Sequence, residues 1–507
     1  MDMISEVLAA LFAPMTFLYL MLGVLGGIII GSLPGLTATM ALAVMLPFTF
    51  SMAPDVALVT LGGIYVGAIF GGCIAAILIN TPGTPSSIAT AFDGYPMTQK
   101  GKAEQALLTA SIGSGIGGVF GGIALLFLSP LLARVALQFG PSEFFWIAVL
   151  GLTLVATLSQ GSLLKGALGA CFGLLLSTVG ISILGGSSRF TFGSSSLQGG
   201  LEIIVLLIAF FCIPQVMRMI KGVDLEKEKI SNIKSEKAHV ISVLKSIVTR
   251  PILLLRSSLI GITVGLIPGA GGNVASLLSY DAAVRFSKQN KLFGKGDARG
   301  VVASETANNS EVGGSLVPLL SLGIPGGPPS AVLIGALLIQ GIQPGPNLFT
   351  SNAALIYTFI GGFIIANILM LLFAIYGSKY IGKIINIPIY YLVPAIVFLT
   401  MIGAFAIRNN FMDIIVLALF GLVAYMMSER GFSPAPIVLG IILGPIAEKG
   451  IIQAYLISEN LPGLLNLFFS RPLTIGIMIL CFLSLFSPLI TKFIAKRSSN
   501  RQENTSI

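Results

Sequence analysis

Two stretches of the chain read alike: residues 31–48, GSLPGLTATMALAVMLPF, and residues 265–286, GLIPGAGGNVASLLSYDAAVRF. Each places a Pro-Gly pair, Pro34-Gly35 and Pro268-Gly269, inside an apolar run and follows it with small and hydroxylated residues. A second pair comes in the same order, INTPGTPSSIATAFDGYP at 79–96 beside LGIPGGPPSAVLIGALLIQGIQPGP at 322–346, preceded by Gly71-Gly72 and Gly313-Gly314. Isolated pairs such as Pro344-Gly345 and Pro462-Gly463 carry little weight, but matched motifs in one order indicate a duplication. Proline removes a helix donor and clashes with the preceding turn, and glycine admits positive φ, so a helix must stop at each pair. The freed backbone groups cannot face lipid. Paired breaks in two inverted halves therefore predict a polar site near the bilayer midplane.

The membrane setting follows from composition. Hydrophobic residues make up 55% of 507 positions and charged residues only 10%, against roughly a quarter charged in soluble chains. Apolar stretches at 105–128, 164–184, 201–220, 353–376, 388–406 and 472–491 reach or approach the ~20 residues a spanning helix needs. The expectation is an all-α polytopic membrane protein of about 11 to 14 transmembrane segments, in two inverted-topology repeats with broken or re-entrant Gly/Pro-rich hairpins. The repeats are set at 1–217, with broken elements 15–50 and 79–96, and 257–491, with broken elements 257–284 and 322–346. A basic cytoplasmic linker at 218–256 joins them, and a cytoplasmic tail occupies 492–507. The N-terminus has no basic region or small-residue cleavage site of a secretory signal, so residue 1 is read as part of the mature protein.

The net charge of +9 fits membrane orientation better than nucleic acid, because the basic residues sit in short loops beside apolar spans. Starting outside, the path puts 24 of the 29 basic residues in the cytoplasm, nine of them in 218–256. Arg134, Arg189, Arg408 and Arg471 fall outside, and Lys449 is unassigned. Loops after corresponding motifs carry opposite charge character: 51–55 has no Lys or Arg while 285–299 has five, and Lys100 and Lys102 follow the first-half motif while 343–352 has none. Equivalent elements facing opposite sides are the mark of inverted repeats.

The residues around each break suit anion binding, since exposed helix N-terminal amides attract a carboxylate or phosphate without a competing side-chain charge. Close packing through small residues is the alternative. The substrate-binding candidates are Pro34, Gly35, Thr37, Thr39, Asn80, Thr81, Gly83, Thr84, Ser86, Gly269, Gly271, Asn273, Gly326 and Ser330. The strongest polar run, ASETANNSEV at 303–312, places Glu305, Asn308 and Asn309 at i, i+3 and i+4, a hard-ligand set for a coupling cation such as Na⁺ on one helical face. Glu305 could instead exchange a proton, and a solvated helix end is the alternative. Asp93 and Asp281 fall close to expected surfaces and are not preferred.

Catalysis is not indicated: there is no GxSxG, HExxH or Walker sequence, and His239 is the only histidine. Cys73, Cys171, Cys212 and Cys481 share no CxxC spacing and lie in apolar stretches, as small buried hydrophobes do. No cofactor beyond a coupling Na⁺ or H⁺ is expected. An anion- or water-selective channel using the same broken helices is the competing reading.

At these residues the chain resembles the large permease subunit of the tripartite tricarboxylate transporter family. The likeness rests on LPGL at 33–36, INTPGTP at 79–85, IPGAG at 267–271, SETANN at 304–309 and LGIPG at 322–326, and spans about residues 15–460. The resemblance implies a carrier of the bacterial inner membrane that takes up citrate-like or related carboxylates with a cation. It also implies two partners, a small membrane subunit and a periplasmic solute-binding protein. The second-half motif reads GGPP where the first reads GTPS, so the halves need not contribute equally to the ligand.

Overall fold

The Pro-Gly pairs end helices in the computed structural model, which describes residues 3–158, 162–182, 186–222, 236–384, 389–458 and 460–485. The first half runs α1 (Met3–Leu11), α2 (Pro14–Ser32), α3 (Ala38–Met45), α4 (Pro54–Ile79), α5 (Ile88–Gln99), α6 (Ala103–Ala136), α7 (Pro141–Leu158), α8 (Leu163–Ser177), α9 (Ile203–Phe211) and α10 (Ile213–Lys221). After α11 (Val240–Val248), the second half runs α12 (Pro251–Gly265), α13 (Gly271–Arg285), α14 (Ala298–Leu322), α15 (Pro328–Ile339), α16 (Leu348–Ser351), α17 (Ala353–Ile384), α18 (Ile389–Arg408), α19 (Phe411–Glu429), α20 (Pro434–Ser458) and α21 (Leu461–Ser470). Among the described residues the only ladder is a two-residue antiparallel pair, Gly180 opposite Arg189 and Ile181 opposite Ser188.

Each break has a local cause, and the causes recur between halves. Gly35 (φ 88°) turns the chain between α2 and α3, and Gly269 (φ 81°) does so between α12 and α13. Left-handed residues also end α4 and α14: Asn80 (φ 53°) and Gly323 (φ 73°). Gly83 and Gly326 answer a different need. A β-carbon on Gly83 would come within 2.6 Å of the Gly31 carbonyl oxygen, and one on Gly326 within 2.7 Å of the Gly265 carbonyl oxygen. Positive φ is thus required of the first glycine in each half, and empty space of the second.

The chain forms two compact units, and neither is a sequence half. One combines Met1–Leu137 with Glu202–Met426, the other Gln138–Leu201 with Met427–Ile507. In the first, α2 packs on α4 and α12 on α14. The halves are also interleaved there, with α6 along α14, α17 along α4, α5 against α13 and α15 against α3. In the second, α7, α8 and α20 share a core of Ala148, Leu152, Val155, Ala170, Leu439 and Leu443. Its buried Glu143 accepts hydrogen bonds from the Gly140 amide (2.7 Å), Ser142 (3.0 Å), Arg471 (3.0 Å) and Thr474 (2.6 Å).

Among the described residues, eight helices are long and apolar enough to cross a membrane, or up to ten if two sharply bent pairs each form one span. That is fewer than the 11 to 14 expected, for two reasons. The span read at 164–184 is the shorter helix α8, and α7 before it is likewise a shorter apolar helix. α14 has 25 residues but is too polar to count, and it does not need lipid, because every residue from 300 to 321 is buried. Of the cysteines, Cys73, Cys212 and Cys481 are buried but Cys171 is exposed, against expectation. The buried face of α8 is its stripe of Gly166, Gly169, Ala170 and Gly173, and Cys171 points off it. Residues 223–235 of the expected linker and the whole tail at 492–507 lie outside the described residues.

Replacing Gly83 or Gly326 with Val should lower the thermal unfolding midpoint of the detergent-solubilised chain, reflecting overpacking of about 1–3 kcal/mol. Gly26→Val, where an added β-carbon meets nothing within 4 Å, should leave the midpoint near that of the unmodified chain. Equal midpoints in all three would remove the close approaches as a determinant of the fold.

Candidate functional site

The polar run expected at 303–312 lies in the middle of α14, packed against α6, α12 and α13. Glu305 and Asn308 are 0% exposed and Asn309 1%, which overturns the alternative of a solvated helix end. The three do not converge on one point. The Glu305 carboxylate accepts from Thr90 of α5 (2.5 Å) and Ser114 of α6 (2.8 Å), and the Cys73 thiol of α4 also reaches it. Asn309 leans back on the same residue, its amide donating to the Glu305 carbonyl at 3.1 Å. Asn308 faces elsewhere, towards Gly272 and Ser86, and both of its side-chain polar atoms are buried without a hydrogen-bond partner.

Three of the four breaks meet around this helix. Thr84, Ser86 and Ser87 form a hydroxyl cluster after the second first-half break, with Thr84 3.0 Å from Ser86 and 2.8 Å from Ser87. Gly72 leaves room for it, since a β-carbon there would collide with Thr84. Ser86 in turn borders Gly272, at the first turn of α13. The two second-half breaks are joined directly by the Gly269 amide, which donates to the Gly326 carbonyl at 2.8 Å. Gly271 lies beside Gly327, whose β-carbon position is 3.9 Å from its Cα. In the first half, the Gly83 amide donates to the Gly72 carbonyl at 3.1 Å.

The remaining candidates have local roles or different neighbours. Gly35, next to Pro34, faces Gln215 and Met219 of α10. Thr37 caps α3 by accepting from the Met40 amide at 3.3 Å, and Thr39 is buried in the first turn of α3. Asn80 is exposed at the end of α4, and the Thr81 hydroxyl, also exposed, turns back to the Ile79 carbonyl at 3.2 Å. Asn273 is half-buried, and its carbonyl accepts from Ser276 at 3.2 Å. Ser330 caps α15 through Gly327, accepting from its amide and donating to its carbonyl, both at 2.8 Å.

Asp93, set aside as a surface residue, is fully buried on α5. It accepts from the Tyr280 hydroxyl (2.9 Å) and the Gly296 and Asp297 amides (each 2.8 Å). Asp281 is at the surface as read, ion-paired with Arg285 one turn along. Sequence reasoning missed Glu311, Gly272 and Gly327. Glu311 had a signal, since it stands three residues after Asn308 in the same polar run. The two glycines had none, because their role is the space they leave beside side chains of another segment.

The four breaks and the polar α14 all lie within the part of the chain that one family model matches. The tripartite tricarboxylate transporter TctA family matches residues 17–439. The chain belongs to that family. A protein of Agrobacterium vitis described as an uncharacterized 52.8 kDa protein in the TAR-I ttuC' 3' region is 37% identical over 466 residues, 91% of each chain. A second from the same organism, an uncharacterized protein in the TAR-II ttuC' 3' region, is 35% identical over 237 residues, 47% of this chain and 97% of that relative. No solved structure matches the chain. Membership makes this multi-pass membrane protein a component of a tripartite transporter, a system that also uses a periplasmic binding protein and a small membrane subunit.

Thr90→Val and Ser114→Ala each strip a hydrogen bond from the buried Glu305 carboxylate, a loss of about 1–3 kcal/mol. Each should therefore lower the thermal midpoint by several degrees, measured on the solubilised chain. A midpoint unchanged in both would mean that the carboxylate is held by other contacts.

Proposed function

We propose that the chain is the translocating subunit for cation-coupled uptake of small carboxylate anions, tricarboxylates or related acids, across the bacterial inner membrane. Substrate is handed over by the periplasmic binding protein and moves by alternating access, and the C-terminus lies in the cytoplasm. The observation that carries this reading is the meeting of three helix breaks around a buried, partly unsatisfied polar helix. Broken helices supply amides to an anion without a fixed positive charge, so the anion can leave again. A cation held on α14, the helix that bears Glu305, Asn308 and Asn309, would offset the substrate's charge in a low-dielectric site. The substrate itself falls to the backbone of the breaks at Gly83, Gly269, Gly271 and Gly326 and to the hydroxyls of Thr84 and Ser86, with Asn80, Thr81, Asn273 and Ser330 shaping or capping those breaks and Pro34, Gly35, Thr37 and Thr39 shaping the remaining one.

The test is uptake of labelled mono-, di- and tricarboxylates into proteoliposomes containing the chain and its candidate partners, with Na⁺ and proton gradients imposed separately. Saturable accumulation and acceleration by unlabelled substrate on the far side are expected. Gradient-independent unitary currents, without counterflow, would replace the carrier with a channel.

A further inference from the structure

Two polar side chains on α14 make no hydrogen bond at all among the described residues, although both lie in the protein interior. Asn308 is 0% exposed, and neither its amide nitrogen nor its oxygen has a partner among the described residues. One turn on, Glu311 is 3% exposed, and among the described residues no hydrogen bond or ion pair reaches its carboxylate. Both border one gap. A β-carbon at Gly272 would stand 2.6 Å from Asn308 Oδ1, 3.1 Å from Ser86 Cβ and 3.5 Å from Glu311 Oε2. From its other oxygen, Glu311 reaches to 4.0 Å of the corresponding point on Gly327. Two glycines therefore leave open the space into which an unpartnered carboxamide and an unpartnered carboxylate both face.

A bare carboxylate in a low-dielectric interior costs several kcal/mol, and an unsatisfied carboxamide adds about 1–3 kcal/mol. Such a pair persists where a ligand completes it. The geometry points to a binding position for a monovalent, oxygen-seeking cation, with Na⁺ as the type, held by the Glu311 carboxylate and Asn308 Oδ1 in the gap beside Gly272. This rests on the carrier reading and gives the coupling ion its place within it. The donors are hard oxygens, the set that alkali cations take. A proton would neutralise Glu311 but leave Asn308 Oδ1 unmet. A divalent ion would bring a second charge with no second carboxylate to match it, because Glu305 is engaged by Thr90 and Ser114 on another side of the helix. Among the described residues no group of three or more His, Cys, Asp or Glu side chains gathers as a metal site. Gly272 is thus required because a methyl group would stand where the ion stands.

The experiment is binding of radiolabelled Na⁺ to the full chain in detergent, set beside the Na⁺ dependence of carboxylate uptake in proteoliposomes with the partners present. The unmodified chain should bind Na⁺ saturably. Glu311→Gln should abolish saturable binding, Glu311→Asp should restore it in part, and Gly272→Ala, which alters no charge, should weaken it about tenfold or more. Size-exclusion profiles identify any variant that fails to fold, and Gly272→Ala decides the question if Glu311→Gln is one of them. Unaltered Na⁺ affinity in a folded Glu311→Gln or Gly272→Ala overturns the proposal. So does uptake by the unmodified chain that follows a proton gradient and needs no Na⁺. Absence of carboxylate uptake under every gradient sinks the carrier reading instead, a result that the binding measurement registers separately.

Discussion

Backbone amides and carbonyls released where a helix stops must be satisfied inside the protein, because lipid offers them nothing. That constraint organises the first compact unit. The Gly269 amide is satisfied by the Gly326 carbonyl, and the Gly83 amide by the Gly72 carbonyl. Both contacts need a chain without a side chain at the crossing, and this is why Gly83 abuts the last turn of α2 and Gly326 that of α12. The small residues that permit these approaches also hold α2 on α4 and α12 on α14, so the breaks and the helix packing are one arrangement.

The duplicated scaffold carries chemistry in one copy only. At the offset that sets Asn80 on Gly323 and Gly83 on Gly326, the polar residues Glu305, Asn308, Asn309 and Glu311 of α14 fall on Gly62, Tyr65, Val66 and Ala68 of α4. The first half therefore contributes hydroxyls and backbone around Thr84 and Ser86, and the second contributes the acids and amides. The contrast between GTPS and GGPP at the second breaks belongs to the same division: a hydroxyl cluster stands on one side and an open glycine pair on the other. The acids and amides beside the breaks thus sit on one helix, every residue of which from 300 to 321 is buried.

The breaks themselves were legible because proline and glycine act on the chain locally, whatever surrounds them. Helix bounds around Pro34, Pro82, Pro268 and Pro325 consequently fall where the sequence places them. Three kinds of fact were not legible. The span count was too high because apolar length does not separate a short packed helix such as α8 from a crossing one. The trio Glu305, Asn308 and Asn309 was read as one face from helical spacing, whereas partners on α4, α5 and α6 draw Glu305 and Asn309 together and leave Asn308 facing α13. Asp93 lies near charged loop residues in sequence, but the fold closes the 296–297 backbone over it.

That closure links parts of the chain far apart in sequence. A single carboxylate on α5 receives a side chain from α13 and two amides from the turn that leads into α14. Separating these elements would break three hydrogen bonds to one buried carboxyl group at once, so α5 is tied to α13 and to the turn that leads into α14. The loop that carries Lys288, Lys291 and Lys295 is thereby tied to α5, the helix that follows the hydroxyl-bearing break.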